Sequence, residues 1–311
     1  MTLDEVRAGG KAGLAKALAE IERAPDAEAT VALLDAAHAA PTAHVVGMTG
    51  PPGVGKSTLM NALIASWRQS GRTVGCIAVD PSSRRSGGAL LGDRTRLTTD
   101  PDDQGVFVRS MAARDRLGGL AALTISAMVL MRALYDIVLI ETVGVGQSET
   151  DVVGVADTVL FCVQPGSGDS LQFMKAGIAE IPHLVVVTKS DMGAAAVRAR
   201  ADVLGALSLG GGDTHEGGAH EGWTVPVMMV SSTLRDGIGA LADAIDSHAT
   251  FLAAYGRLGR TRHAQAEAWL VEAVRERFGR EGIRRAGNLA LDAAASPFGR
   301  LAEISRHLRI D

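Results

Sequence analysis

Lysine is scarce in this 311-residue chain: of 31 basic residues, 26 are Arg and only 5 are Lys. Each place where Lys does occur therefore invites inspection. Cysteine is scarcer still. Cys76 and Cys162 both stand in apolar, strand-like runs, which predicts two reduced, buried thiols, and zinc would need more ligands nearby than either has. Excess positive charge is missing: the net charge is −4, so no basic field calls for nucleic acid or an anionic membrane surface. Long apolar runs are missing too. The opening "MTLDEVRAGGKAGLAKALAEIE" has early acids and no secretory apolar block, and "LAALTISAMVLMRAL" (120–134) is too short for a bilayer and contains Arg132. A cytoplasmic protein is expected. What is present suits a globular chain with an ample core: 47% hydrophobic and 21% charged residues.

Residues 1–40 read as helices, with Leu14, Leu18 and Ile21 on one face and a second helix over 29–40. From residue 44 the pattern changes. Apolar, β-branched runs occur at 45–49, 74–79, 137–142, 158–163, 184–188 and 225–230. Helix-compatible segments at 56–69, 118–134, 170–180 and 194–206 separate most of them. That alternation predicts an α/β fold with a doubly wound, mainly parallel sheet. Residues 238–311 return to helix, so the expected layout is an N-terminal helical extension (1–40), an α/β core (41–250) and a C-terminal helical extension (251–311). In the last part Phe251, Leu252, Tyr255, Leu258, Trp269, Leu270, Val274 and Phe278 exceed what one docking helix needs, which predicts a homodimer. The stretch "LGGGDTHEGGAHEG" (209–222) reads as a mobile surface loop, and His215 and His220 as solvated loop residues rather than metal ligands.

"GMTGPPGVGKSTL" (47–59) follows a strand and opens a helix, and Gly50-x-x-x-x-Gly55-Lys56-Ser57 matches the P-loop in full. Glycines at 50, 53 and 55 let the backbone amides around Val54 turn inward on phosphates, reinforced by the helix N-terminus and followed by Thr58. Lys56 supplies a point charge to the β- and γ-phosphates, and Ser57 a hydroxyl for Mg²⁺. Downstream, "YDIVLIETVGVGQSE" ends a buried strand at Glu141, with Gly144 three residues on. An acid at a strand tip beside a P-loop holds the Mg²⁺ shell, and Gly144 can bring an amide to a γ-phosphate. Between them, Asp80 and Asp93 are further candidate Mg²⁺ or water-positioning acids, flanked by Arg84, Arg85, Arg94 and Arg96.

"LVVVTKSDMG" (184–193) then places Lys189 and Asp191 at a later strand tip, where the base would lie. An aspartate accepts from both N1–H and the 2-amino group of guanine, whereas adenine leaves it unpaired. The lysine stem can cover the base plane. Thr188 stands where Asn is usual, which predicts weaker bracing, and Ser231 and Ser232 are placed to complete the base pocket.

The P-loop "GPPGVGKST", then "VDPSS…SGG…LGDRTR", "IETVGVGQSE", "DSLQFMKAGIAEI" and "TKSD" occur in one order. Together they resemble the MeaB/methylmalonic aciduria type A G proteins, of the metallochaperone-like branch of P-loop GTPases, once described as arginine/ornithine transport kinases. The resemblance covers roughly residues 10–285. It implies a homodimeric GTPase, using GTP/GDP and Mg²⁺, that gates adenosylcobalamin loading and protects or rescues an adenosylcobalamin-dependent acyl-CoA mutase. The cobalamin adenosyltransferase is a further candidate partner. Carried onto this chain, Lys56, Asp93 and Glu141 are the catalytic set, and Ser57, Asp80, Asp93 and Glu141 the metal set. The segment Gly166–Lys175 matches the third switch, with Asp169, Gln172 and Lys175 as its polar members. A water-orienting Gln directly after Gly144 is absent, which predicts slow hydrolysis by the isolated chain. The rival readings are a metal-delivery GTPase of the same branch and a small-molecule kinase.

Overall fold

Four of the apolar runs singled out above become strands buried along their whole length or nearly so: β1 (His44–Thr49), β4 (Ile137–Glu141), β5 (Thr158–Val163) and β6 (Leu184–Val187). Continuous apolarity of that kind is what a parallel strand covered by helices on both faces requires. In the computed structural model, which describes residues 1–81, 97, 99–113, 122–142, 152–166, 181–210 and 222–310, they join β2 (Val74–Pro81), β3 (Val106–Ala113) and β7 (Val227–Met229). The sheet order is β3-β2-β4-β1-β5-β6-β7, and every pairing is parallel. The doubly wound α/β core is therefore present.

One strand is an addition to the sequence reading. β3 lies at the sheet edge, where Arg109 pairs with Glu22 of the N-terminal helices. An edge position tolerates Arg109 and Ser110 inside the run, so the continuous apolar signature is lost. The expected helix at 170–180 and the loop holding His215 and His220 lie outside the described residues.

The N-terminal extension is three helices rather than two. α1 (Leu3–Ala8) starts with a capping box, in which Thr2 N donates to Glu5 and Glu5 N to Thr2 Oγ1. The glycine pair 9–10 separates it from α2 (Gly10–Arg23), whose Leu14, Leu18 and Ile21 are buried as expected. α3 (Glu28–Ala39) leads to β1. On the sheet, α4 (Lys56–Gln69) and α7 (Ile238–Ala253) share one core layer, where Leu59, Leu63, Leu241 and Ile245 are fully buried. α5 (Ala122–Arg132) packs with α2 and α3 on the other face, and α6 (Ala194–Gly210) covers β5–β7.

The C-terminal segment corrects the reason given for a homodimer. After a turn at Ala254–Gly256 comes α8 (Arg257–Ala286), kinked at Gly279, and then α9 (Pro297–Ile310) folds back upon it. Leu270 and Val274 are buried against Leu301, Ile304 and Leu308 of the same chain, Leu252 is also buried, and Trp269 packs 4.8 Å from Phe298. Those apolar faces are satisfied internally. Tyr255 is exposed, at 85% with φ +56°, and Leu258 is half-buried.

α8 is tied to the amino edge of the sheet. Arg262 donates to both oxygens of Asp157 at 2.9 and 2.6 Å and to Ala43 O at 2.8 Å. Val45 N donates to Asp157 Oδ2 at 2.8 Å. Thr158 Oγ1 lies between His44 Nε2 (2.6 Å) and His248 Nδ1 (2.7 Å). Burial alone would raise the Asp157 carboxyl, but the Arg262 hydrogen bonds and charge, with His44 and the Val45 amide, hold it below its ordinary range. His44 Nδ1 is 3.7 Å from that carboxylate, yet burial outweighs the attraction and its pKa is lowered.

Candidate nucleotide-binding site

Parallel strands deliver their carboxyl ends to one edge, and register decides which residues meet there. Glu141 pairs with Met48 of β1 and Ala78 of β2, and Thr49 of β1 pairs with Phe161 of β5. The P-loop leaves β1 at this point. Gly50 has φ +135°, and a Cβ there would lie 2.3 Å from Cys162 O, so only glycine lets the loop run against β5. Gly53 (φ +75°) and Gly55 (φ +100°), the cap of α4, also lie in left-handed regions, as inward-turned amides need. Val54 between them is fully buried, which anchors the loop.

Lys56 is 7% exposed, and its Nζ donates to Gly50 O at 2.7 Å and Pro51 O at 3.2 Å. The ammonium thus bonds to the loop that is expected to wrap the phosphates. Ser57 Oγ donates to Glu141 Oε1 at 2.9 Å, joining the first turn of α4 to the tip of β4. Sequence order predicted this pair, and the fold brings it together. Thr58 is exposed on the same turn. Asp80, the penultimate residue of β2, is in register with Ala112 at the same edge, and Asp93, Gly144 and the four loop arginines lie outside the described residues.

The residues expected from sequence to read the base assemble beside the P-loop. Thr188 is 3% exposed, and its Oγ1 lies 2.7 Å from Val54 O and 3.0 Å from Val163 O. The hydroxyl replacing the usual amide does brace the P-loop, although its single proton serves one carbonyl at a time. Lys189 (φ +53°) sends Nζ to Gly53 O at 3.1 Å and Gln164 Oε1 at 2.6 Å. Gln164 was not singled out from sequence; its place one residue beyond β5 is the signal that would have found it. Asp191 Oδ1 accepts from Ser231 Oγ at 2.6 Å, and Ser231 is 1% exposed. Ser231 therefore orients the Asp191 carboxylate, while half-buried Ser232 begins the turn that the Ser231–Asp236 bridge closes. Asp169, Gln172 and Lys175 lie outside the described residues, in the segment that follows β5.

Both cysteines are free and buried, as expected. Burial pushes the Cys162 thiol up to about 12, so it is a packing residue against the P-loop and not a nucleophile. Among the described residues, no helix is long and apolar enough to cross a membrane.

Residues 14–285 match the family model described as methylmalonyl-CoA mutase-associated GTPase MeaB. A Pyrococcus abyssi protein that carries a GTPase name is 45% identical over 227 residues, 72% of this chain and 68% of its own length. The mitochondrial methylmalonic aciduria type A homolog of Mus musculus is 37% identical over 239 residues, 76% of this chain and 56% of its own. Among solved structures, a LAO/AO transport system kinase superposes with a TM-score of 0.67 at 28% identity, covering 99% of this chain and 96% of that one.

Proposed function

Because the chain belongs to the MeaB family of methylmalonyl-CoA mutase-associated GTPases, we propose that it binds and hydrolyses GTP in the service of an adenosylcobalamin-dependent acyl-CoA mutase. One observation carries the nucleotide part: a P-loop whose Lys56 and Ser57 stand at the sheet edge that also holds Glu141 and Asp191. The loop amides and Lys56 take the phosphates, Asp191 reads N1–H and the 2-amino group, and Lys189 covers the base plane. Ser57 Oγ and the Glu141 carboxylate are hard oxygen donors that fit Mg²⁺, with Asp80 and Asp93 as further members on sequence grounds. When bound, Mg²⁺ neutralises charge on the β- and γ-phosphates. Thr188 and Lys189 hold Val54 O and Gly53 O, so base and phosphate loops move as a unit.

Hydrolysis by the chain alone is slow, and the mutase accelerates it through Gly166–Lys175, a segment assigned by sequence order. The cycle gates adenosylcobalamin loading and protects or reactivates the mutase, with the cobalamin adenosyltransferase as a second partner. The working form is a cytoplasmic homodimer whose contact includes exposed Tyr255 rather than the internally buried Leu270 and Val274. The test is GTP and ATP hydrolysis with and without a cobalamin-dependent acyl-CoA mutase. Selective, stimulated GTP turnover supports the reading. Equal use of ATP, or no response to any such mutase, removes it.

A further inference from the structure

Far from the nucleotide edge, a cavity of about 30 Å³ lies where α3, α5, α8, α9 and the Val152–Gly154 turn converge. Its polar lining includes His38, Arg132, Arg262 and Gln265, against Trp269 and Phe298. Arg132 ends α5, is 4% exposed, and its Nε has no hydrogen-bond partner among the described residues. His38 Nδ1 is also buried without one. Arg262 gives Nε and Nη2 to Asp157 and Ala43, and Gln265 gives its amide N–H groups to Val153 O and Ala156 O.

The two guanidiniums can only donate, so neither can satisfy the other. A guanidinium stays charged at physiological pH, even though burial, with Arg262 nearby, pushes Arg132 down to about 10. The carboxylate that acts on Arg132 is Asp157, which Arg262 already holds through both oxygens. Burial, and then Arg132 itself, push His38 down against the opposing pull of Asp35, so its neutral ring can offer an Nδ1–H. A buried cation facing a second guanidinium and a neutral imidazole requires a compensating negative charge. The space, about 30 Å³, is enough for a small ion.

We propose that this cavity is a halide site, occupied by chloride in the cell and held by Arg132 with His38 and Arg262. The ion joins the N-terminal helices to the C-terminal ones at the base of the core. It also sits beside Gly154, only ten residues after Gly144.

The test uses the full chain. Melting is followed in sodium chloride and sodium gluconate at matched ionic strength, and crystals are grown in sodium bromide. A saturable rise in Tm of a few degrees in chloride is expected, with a bromide anomalous peak beside Arg132 Nε. Arg132→Met should lose the chloride response. If that variant does not fold, the bromide peak in the unaltered chain decides alone. Water without bromide in the cavity, equal melting in both salts, or an undiminished chloride response in Arg132→Met overturns the proposal.

Discussion

At the amino edge of the sheet, Asp157 grips Arg262 through two oxygens, accepts from Val45 N, and lies wholly inside the protein. At the carboxyl edge, Lys56 is almost as deeply buried, yet it donates to carbonyls of the loop it belongs to. Both edges bury a full charge. One charge is gripped by a fixed opposite charge from an element more than a hundred residues away; the other has among its contacts two loop carbonyls that a phosphate oxygen can replace. Charge matched within the fold is structure, and charge resting on exchangeable dipoles is capacity for a ligand.

The sharpest way to break that contrast is Asp157→Ala. It strands Arg262 and should destabilise the chain by roughly 3–5 kcal/mol, read by urea unfolding. GTP affinity of the remaining folded protein should be unchanged. A large affinity loss would show that the two edges are not separable. Next comes Lys56→Ala. It should weaken GTP about 100-fold, equivalent to about 2.7 kcal/mol, while Tm hardly moves, since the loop carbonyls can turn to water. Binding within a few-fold of the parent would take Lys56 out of the phosphate site.

Asp191→Asn tests a smaller effect at the same edge. GTP should weaken about tenfold or more as the carboxylate's second acceptor is lost, roughly 1–3 kcal/mol, and xanthine nucleotides should gain. Ser231 Oγ can still donate to the Asn carbonyl, so stability should hold. Unaltered guanine preference would refute the base reading.

The smallest effect is in pH. Burial lowers both His44 and His38, so between their unfolded value near 6.5 and the lower folded values the unfolded chain binds more protons. Stability therefore falls as pH drops below about 6.5. The depressed Asp157 works further down: its contribution is present above about pH 3.9 and lost as pH falls through the folded value. A Tm that is flat from about pH 7.5 to about 5.5, or an unaltered slope in His44→Gln, would exclude the histidines.

The contrast also explains what could be read before the fold was known. Lys56, Ser57 and Glu141 were legible because a P-loop is a local string and a strand-ending acid follows from one apolar run. The parallel core was legible for the same reason, run by run. β3 was not, since an edge strand with Arg109 in it has no continuous signature. Nor was Asp157–Arg262, whose partners lie 105 residues apart with nothing around either to announce the other. Ser231 fell between: its place at the strand edge beside Asp191 was readable, but its grip on that carboxylate depends on how β6 and β7 align.

The two thiols bear on how this chain can be watched at work. With Cys162 raised to about 12 and Cys76 raised further by the same burial, neither offers a thiolate to a maleimide at neutral pH. The native chain should be dark to thiol-directed dyes without removal of any residue. Leu234 is 68% exposed in the turn that follows Ser231, so Leu234→Cys would supply a single reactive handle. A fluorophore attached there would sit beside the Asp191–Ser231 contact, and its emission would follow base binding turnover by turnover.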